Sequence, residues 1–178
     1  SAVSVSNAPI KNSSNNTYYA TIQAAINAAS PGHIIELCGN HSEGLITVNK
    51  PLEIDGNGQT LTSSSSSWGI GLEAMNINLH DLVLTNTGTQ GIQQCCDADN
   101  LIMTNVTVTN RGGTGISIYG SDNAVLTNIT STNNVGNGLN ITNSNNTLIN
   151  GFTTSGNAFN TGFSAGIGIF TSNAFCLP

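Results

Sequence analysis

The residues to weigh first for chemistry are three aspartates. Asp97, Asp99 and Asp122 stand in two segments that align one repeat apart, Asp97-Ala98-Asp99 with Ser121-Asp122-Asn123. Carboxylates at alternate positions could share acid and base work or hold a calcium ion. A lyase acting on uronates needs a base plus a cation that neutralises the substrate carboxylate, and a hydrolase needs convergent acids. The cations to hand are Arg111, the only arginine, and Lys50, several segments earlier beside Pro51. Asp is also a turn residue, because its side chain bonds to nearby amides, and a solvated turn is the reading these aspartates support. His33, His41 and His80 are isolated; His80, between Leu79 and Asp81, is expected to point outward from a strand. No Gly-x-Ser-x-Gly, phosphate loop or dinucleotide fingerprint stands in a suitable context. The sequence therefore predicts no catalytic residue, no metal site and no cofactor.

The elements that position these residues come from a repeat of about two dozen residues. From Ile46 the chain returns to phase at Gly69-Ile70, Gly91-Ile92, Gly115-Ile116, Gly138-Leu139 and Gly166-Ile167. Midway stands an aliphatic-x-Asn/Asp step: Leu79-His80-Asp81, Met103-Thr104-Asn105, Leu126-Thr127-Asn128 and Leu148-Ile149-Asn150. So short a period has no room for a long helix, and its alternating apolar residues suit one turn of a parallel β-solenoid. Asn105, Asn128 and Asn150 are expected to stack as a structural ladder at an inward turn.

Composition agrees. A chain of 178 residues, 38% hydrophobic, fits one domain with a narrow stacked core. Only 7% of residues are charged, three Lys/Arg against nine Asp/Glu, so there is no basic footprint for nucleic acid. No apolar run is long enough to span a bilayer. The start, Ser1-Ala2-Val3-Ser4, reads as the mature end of a secreted chain, extracellular or at a cell surface. Sequons fit that setting at Asn12, Asn15, Asn40, Asn140 and Asn145; those at Asn105 and Asn128 are set aside because the inward turn leaves no room for a glycan. Cys38, Cys95, Cys96 and Cys176 are an even number in such a chain, so disulfides are plausible. The vicinal Cys95-Cys96 pair could close only through a strained loop, which favours links to Cys38 or Cys176.

Ahead of the repeats, Ile22, Ala25, Ile26 and Ala29 recur at helical spacing, with Thr21 as cap and Ser30-Pro31-Gly32 as stop. This predicts a capping helix over about 21–29 covering the first open end of the solenoid. Thr21-Ile22-Gln23-Ala24-Ala25-Ile26-Asn27-Ala28-Ala29, then Ile34-Ile35-Glu36-Leu37, then Asn49-Lys50-Pro51-Leu52-Glu53-Ile54-Asp55-Gly56-Asn57-Gly58, resembles the opening of pectin-lyase-like right-handed parallel β-helix proteins. The resemblance runs from about Tyr19 to the end. It implies an all-β fold, a single-stranded right-handed parallel β-helix with three short strands per coil and an N-terminal capping α-helix. It does not choose an activity, since the superfamily includes lyases, esterases, hydrolases, epimerases and proteins without known catalysis. The Gln, paired Asp, downstream Arg and Trp pattern of pectin methylesterases is absent, as are the paired-Asp and basic motifs of polygalacturonases.

Two surface features remain. The outward positions of the third strand read Thr60 and Thr62, Val83 and Thr85, Thr107 and Thr109, Thr130 and Thr132, then Thr153 and Ser155. Stacked, they give an array of hydroxyls and methyls resembling the ice-binding faces of small antifreeze solenoids. The ends are the second feature. Residues 1–16 read as an extension whose Ala2-Val3-Ser4-Val5-Ser6 could add as a strand to a neighbour, while residues 17–178 form the β-helix domain. Its last coil, ending Phe175-Cys176-Leu177-Pro178, shows no second cap, so either more chain belongs here or another subunit is expected to cover it. These features predict a secreted, non-catalytic module for surface structure, adhesion or filament assembly, with carbohydrate or ice as ligand. Ice binding and a polysaccharide-active lyase or hydrolase are the competing expectations.

Overall fold

The computed structural model describes residues 9–86, 88–95, 98–109, 112–157 and 166–170. Strands β1 (Ile10–Asn12) and β2 (Thr17–Tyr19) form an antiparallel hairpin, followed by helix α1 (Ile22–Ala28). The first coil is β3 (Ile34–Leu37), β4 (His41–Glu43) and β5 (Ile46–Val48); the second is β6 (Glu53–Asp55), β7 (Thr60–Ser63) and β8 (Trp68–Leu72). Later coils alternate a long bent strand with a short one: β9 (Asn78–Asn86) and β10 (Gln90–Gln94), β11 (Ile102–Thr109) and β12 (Thr114–Tyr119), β13 (Val125–Thr132) and β14 (Leu139–Thr142), β15 (Leu148–Ser155) and β16 (Ile167–Phe170).

Each coil pairs in parallel with the coils above and below, giving one sheet in the order β15-β13-β11-β9-β6-β3-β1-β2 with β7 and β4 beside it, and a second in the order β16-β14-β12-β10-β8-β5. The protein is a parallel β-helix with one short N-terminal helix. The three separate strands per coil expected from the sequence are present in the first two coils only. From β9 onward two of them merge, and β9 pairs with both β6 and β7. A single left-handed residue, Asp81, Asn105, Asn128 or Gly151 (φ 52° to 83°), bends each long strand without interrupting it.

Register explains the core. Ile35, Ile54, Leu79, Met103 and Leu126 stack in one inward column; Ile46, Ile70, Ile92, Ile116 and Leu139 stack in another. All ten are buried. Alternation sends their neighbours outward, the period-2 pattern of a strand with one buried face. The recurrent glycine before the aliphatic residue has a steric cause. A Cβ on Gly91 would lie 2.2 Å from the carbonyl oxygen of Gly115, one on Gly115 2.8 Å from that of Gly138, and one on Gly138 2.7 Å from that of Gly166.

The helix is fastened at both ends by the coils it covers. Thr21 caps it by accepting from the Ala24 amide (3.1 Å), and Glu43 accepts from the free amides of Ile22 (2.7 Å) and Gln23 (3.0 Å). At the other end Lys50 Nζ donates to the carbonyls of Ile26, Asn27 and Ala29 at 2.8 to 3.0 Å. Anion at the N-terminus and cation at the C-terminus also suit the helix dipole. The Gln23 side chain exchanges two hydrogen bonds with the backbone of Thr47, so the helix supplies the partner that the edge strand β5 would find in another coil. The hairpin joins the same end: β1 pairs antiparallel with β3 and buries Ile10, so the residues just before 17 belong to the folded unit. Ala2 to Ser6 and the chain end at Phe175 to Pro178 lie outside the described residues, as do the expectations placed on them. Among the described residues no helix is long and apolar enough to cross a membrane.

The glycine column gives a direct test. Gly115→Ala places its methyl against Ser131 Oγ as well as the Gly138 carbonyl. We expect a loss of ~1–3 kcal/mol, the usual cost of overpacking, read as a lower denaturant midpoint with an unchanged m-value.

Candidate functional site

The outer surface is organised by its corners. At one corner Asn105 Nδ2 donates to Asp81 Oδ1 (2.8 Å) and Asn128 Nδ2 donates to Asn105 Oδ1 (3.2 Å). The sequence placed these residues at an inward turn; they are instead solvent-facing, because left-handed backbone turns the side chain out, where its amide bonds along the helix axis. The fourth position is Gly151 (φ 83°) rather than Asn150, which pairs with Thr127 one residue earlier. A second ladder, Asn76, Asn100, Asn123 and Asn146, was not foreseen; its side chains link at 3.0 to 3.2 Å, and all four have positive φ. The signal for it was an Asn recurring two positions before the strand.

The expected acidic cluster belongs to this corner system. Asp99 Oδ1 accepts from the Asp122 amide (2.8 Å), and Asp122 Oδ1 accepts from the amide (2.8 Å) and Nδ2 (3.0 Å) of Asn145. These carboxylates hold backbone amides of the next coil, which is structural work. Asp97 and Arg111 lie outside the described residues, and Lys50 is committed to the helix.

The hydroxyl array follows the pairing register. Thr60, Val83, Thr107, Thr130 and Thr153 form one column; Thr62, Thr85, Thr109, Thr132 and Ser155 form the other. None of the ten is buried. Hydroxyls meet along the second column, Thr62 with Thr85 at 3.3 Å and Thr132 with Thr109 at 3.5 Å. With strands ~4.8 Å apart and alternate residues ~6.6 Å apart, the columns form a regular grid without a charged residue.

On the other side of the Asp81 corner lies a group that reading along the sequence missed. Asp55 and His80 are register partners on β6 and β9, and Glu53 and Asp81 flank them. His80 Nδ1 is 2.8 Å from Asp81 Oδ2 and 3.6 Å from Asp55 Oδ1, while Nε2 is 3.4 Å from Glu53 Oε1. Glu53 also borders an open groove of about 280 Å³ with Gly32, Pro51, Leu52, Asn76 and Asn78. His80 was judged an isolated surface residue; the signal that could have found the group was the alignment of Asp55 with His80 one coil apart. The nearest sequence neighbour, Asp81, supplied only one of three carboxylates. His33 and His41 are taken up elsewhere, by Asn12 (2.9 Å) and Glu43 (3.2 Å).

The cysteines and sequons can be placed too. Cys38 is an exposed free thiol, its pKa raised by burial and by the nearby Glu36 charge. Cys38 does not form the expected disulfide; Cys96 and Cys176 lie outside the described residues. Asn12 is fully buried and Asn145 Nδ2 is bonded to Asp122, so neither offers a free amide to a glycan, contrary to expectation. Asn140 is half-buried on β14, while Asn15 and Asn40 are exposed. Asn105 and Asn128 are unsuited for a different reason from the one first given: each Nδ2 is already a ladder donor.

No protein-family model, curated protein or solved structure matches the chain.

Desolvation, the largest single influence on His80, disfavours its charge, but hydrogen bonds to Asp81 and Glu53 and the charges of Asp55 and Asp81 together outweigh it and raise its pKa. Asp81 is lowered, first by the Asn105 hydrogen bond and then by His80. The His80 contribution to stability is therefore complete below the unfolded imidazole value of about 6.5 and lost as pH rises through the higher folded value. The Asp81 contribution is present above its unfolded value and lost as pH falls through the folded one. In chelator-treated protein, an NMR titration should place the His80 midpoint above that of free imidazole, and Asp81→Asn and Glu53→Gln should each bring it down. A wild-type midpoint at or below 6.5 would mean that desolvation prevails.

Proposed function

We propose that the protein is a non-catalytic surface module that works outside the cell and adheres to an ordered, repeating surface through its threonine face. The observation that carries this reading is the in-register pair of columns from Thr60 and Thr62 to Thr153 and Ser155. A grid that repeats at the strand spacing suits a ligand that itself repeats, and methyl groups beside hydroxyls favour ordered water over a charged partner. Ice is the ligand with the closest correspondence. The engagement of Asp99 and Asp122 in backbone hydrogen bonds weighs against a hydrolase or lyase built on them. Exposed sequons at Asn15 and Asn40 suit an extracellular setting. The opening segment from Thr21 to Gly58 further supports a relationship to the pectin-lyase-like β-helices, with the shared scaffold retained and the chemistry of the enzymes absent.

Thr109 and Thr132 occupy the middle of their column and point outward, so bulky substitution there alters the face without entering the core. The intact protein should show thermal hysteresis, and Thr109→Tyr and Thr132→Tyr should each remove most of it while leaving circular dichroism and the melting temperature nearly unchanged. Absence of both hysteresis and ice-crystal shaping in the intact protein would reject ice as the ligand. Equal activity of both variants would reject the face.

A further inference from the structure

We propose that Asp55, His80 and Asp81 form a binding site for a divalent transition-metal ion of the zinc class, on the outer face of the second and third coils. The donor atoms are one ring nitrogen and one oxygen from each aspartate, and they all lie within 4.8 Å of one another. Bonds of ~2.0–2.2 Å around such an ion require donor separations of about 3 to 3.5 Å. The observed spacings from His80 Nδ1, 2.8 Å to Asp81 and 3.6 Å to Asp55, bracket that range. The two aspartate oxygens, within 4.8 Å of each other, complete the triangle of donors.

The hydrogen-bond arrangement around the ring points to a cation. Both ring nitrogens face carboxylate oxygens, Nδ1 those of Asp81 and Asp55 and Nε2 that of Glu53. Three carboxylates around one imidazole exceed the single charge of a protonated ring, so the cluster calls for further positive charge. No described basic side chain supplies it: Lys50 is bonded to three helix carbonyls, and Lys11 lies over the Tyr18 ring two strands away. A divalent ion at Nδ1 answers that requirement and leaves Glu53 as the carboxylate that orients a ligating histidine through its other nitrogen.

The two aspartates are held by neighbours that leave them able to coordinate. Asn105 Nδ2 occupies Asp81 Oδ1 and leaves Oδ2 toward the ring. The Asn57 amide binds Asp55 Oδ1 at 2.7 Å; that oxygen keeps a second lone pair. The backbone is fixed, since Asp55 and His80 are directly paired strand residues. Side-chain exposures of 19% for His80, 29% for Asp55 and 44% for Asp81 leave a path for an ion and for the waters that complete its shell. The imidazole selects the ion: carboxylates alone suit Ca²⁺ and Mg²⁺, whereas a ring nitrogen favours zinc and its neighbours.

The test is calorimetric titration of Zn²⁺ into the chelator-treated full chain, with the three histidine rings followed by NMR. Saturable binding of one ion that perturbs the His80 ring is expected, with His80→Gln and Asp55→Asn each weakening it at least ten-fold. Glu53→Gln should weaken it about ten-fold, as loss of an orienting carboxylate does elsewhere. His41→Gln, whose ring faces Glu43, should leave the affinity unchanged. Circular dichroism of each variant separates loss of the site from loss of the fold, and Glu53→Gln, at a more exposed position, provides a second reading should Asp55→Asn unfold. No binding at millimolar Zn²⁺ would overturn the proposal and leave a protonated imidazole as the cluster's charge. Binding undiminished in His80→Gln, or Ca²⁺ binding as tightly as Zn²⁺, would overturn it equally, by reducing the site to a diffuse acidic patch.

Discussion

Parallel in-register stacking is the constraint on which the rest of this molecule depends. Each residue of a middle coil sits on a counterpart about one period earlier, as Met103 sits on Leu79 and Leu126 on Met103. Whatever one coil does with a position, the next must accommodate in the same place. Inward positions are therefore aliphatic in columns, corners hold residues that tolerate left-handed backbone, and the approach of one coil's carbonyl to the next leaves room only for glycine. The repeat in the sequence is the trace of this packing.

Magnitudes assign the roles. A fully buried Leu or Ile contributes roughly 1.5–3 kcal/mol, whereas a hydrogen bond nets ~0.5–1.5 kcal/mol and less when water competes for it at an exposed corner. The aliphatic columns thus supply most of the stability, and the Asn ladders chiefly fix where the chain turns and in what register. Polar residues enter the interior where the columns change. Buried Ser131 continues the column of Leu61, Leu84 and Val108; it donates to the Gly138 carbonyl at 2.6 Å and accepts from Asn134 at 3.0 Å. That network closes a wider turn which the aliphatic pattern alone would not hold.

Much of this was legible because the period is short and the inward positions repeat one chemical type. The helix from Ile22, its Thr21 cap, the aliphatic columns and the threonine columns all follow from spacing. What was not legible depended on geometry across coils. Whether Asn105 faces in or out is set by the sign of its φ, which composition does not reveal. The last ladder position was misread because Asn150 and Gly151 are adjacent and both suit a turn. The group around His80 escaped because its other members lie 1 to 27 residues from it along the chain, and only stacking makes Asp55 and Glu53 its neighbours. The committed aspartates show the converse: Asp99 and Asp122 looked like a site because acids are conspicuous in so uncharged a chain, yet their oxygens serve the amides of the next coil.

The Asp81 corner divides the outer surface of the large sheet into two halves of different character. Before it stand Glu53, Asp55 and His80; after it stand the uncharged threonine columns. Asp81 belongs to both systems, since one oxygen meets His80 and the other begins the Asn ladder that sets where the threonine strands start. A ligand that reads spacing requires columns that do not slide, and the first coil is where sliding would begin, because a hairpin and a helix rather than another coil lie against it. The helix clamps made by Glu43, Gln23 and Lys50 hold that end from one side. The polar group joining Asp55 of one coil to His80 and Asp81 of the next holds it from the other. On this account the acidic half serves the neutral half by fixing the origin of its grid.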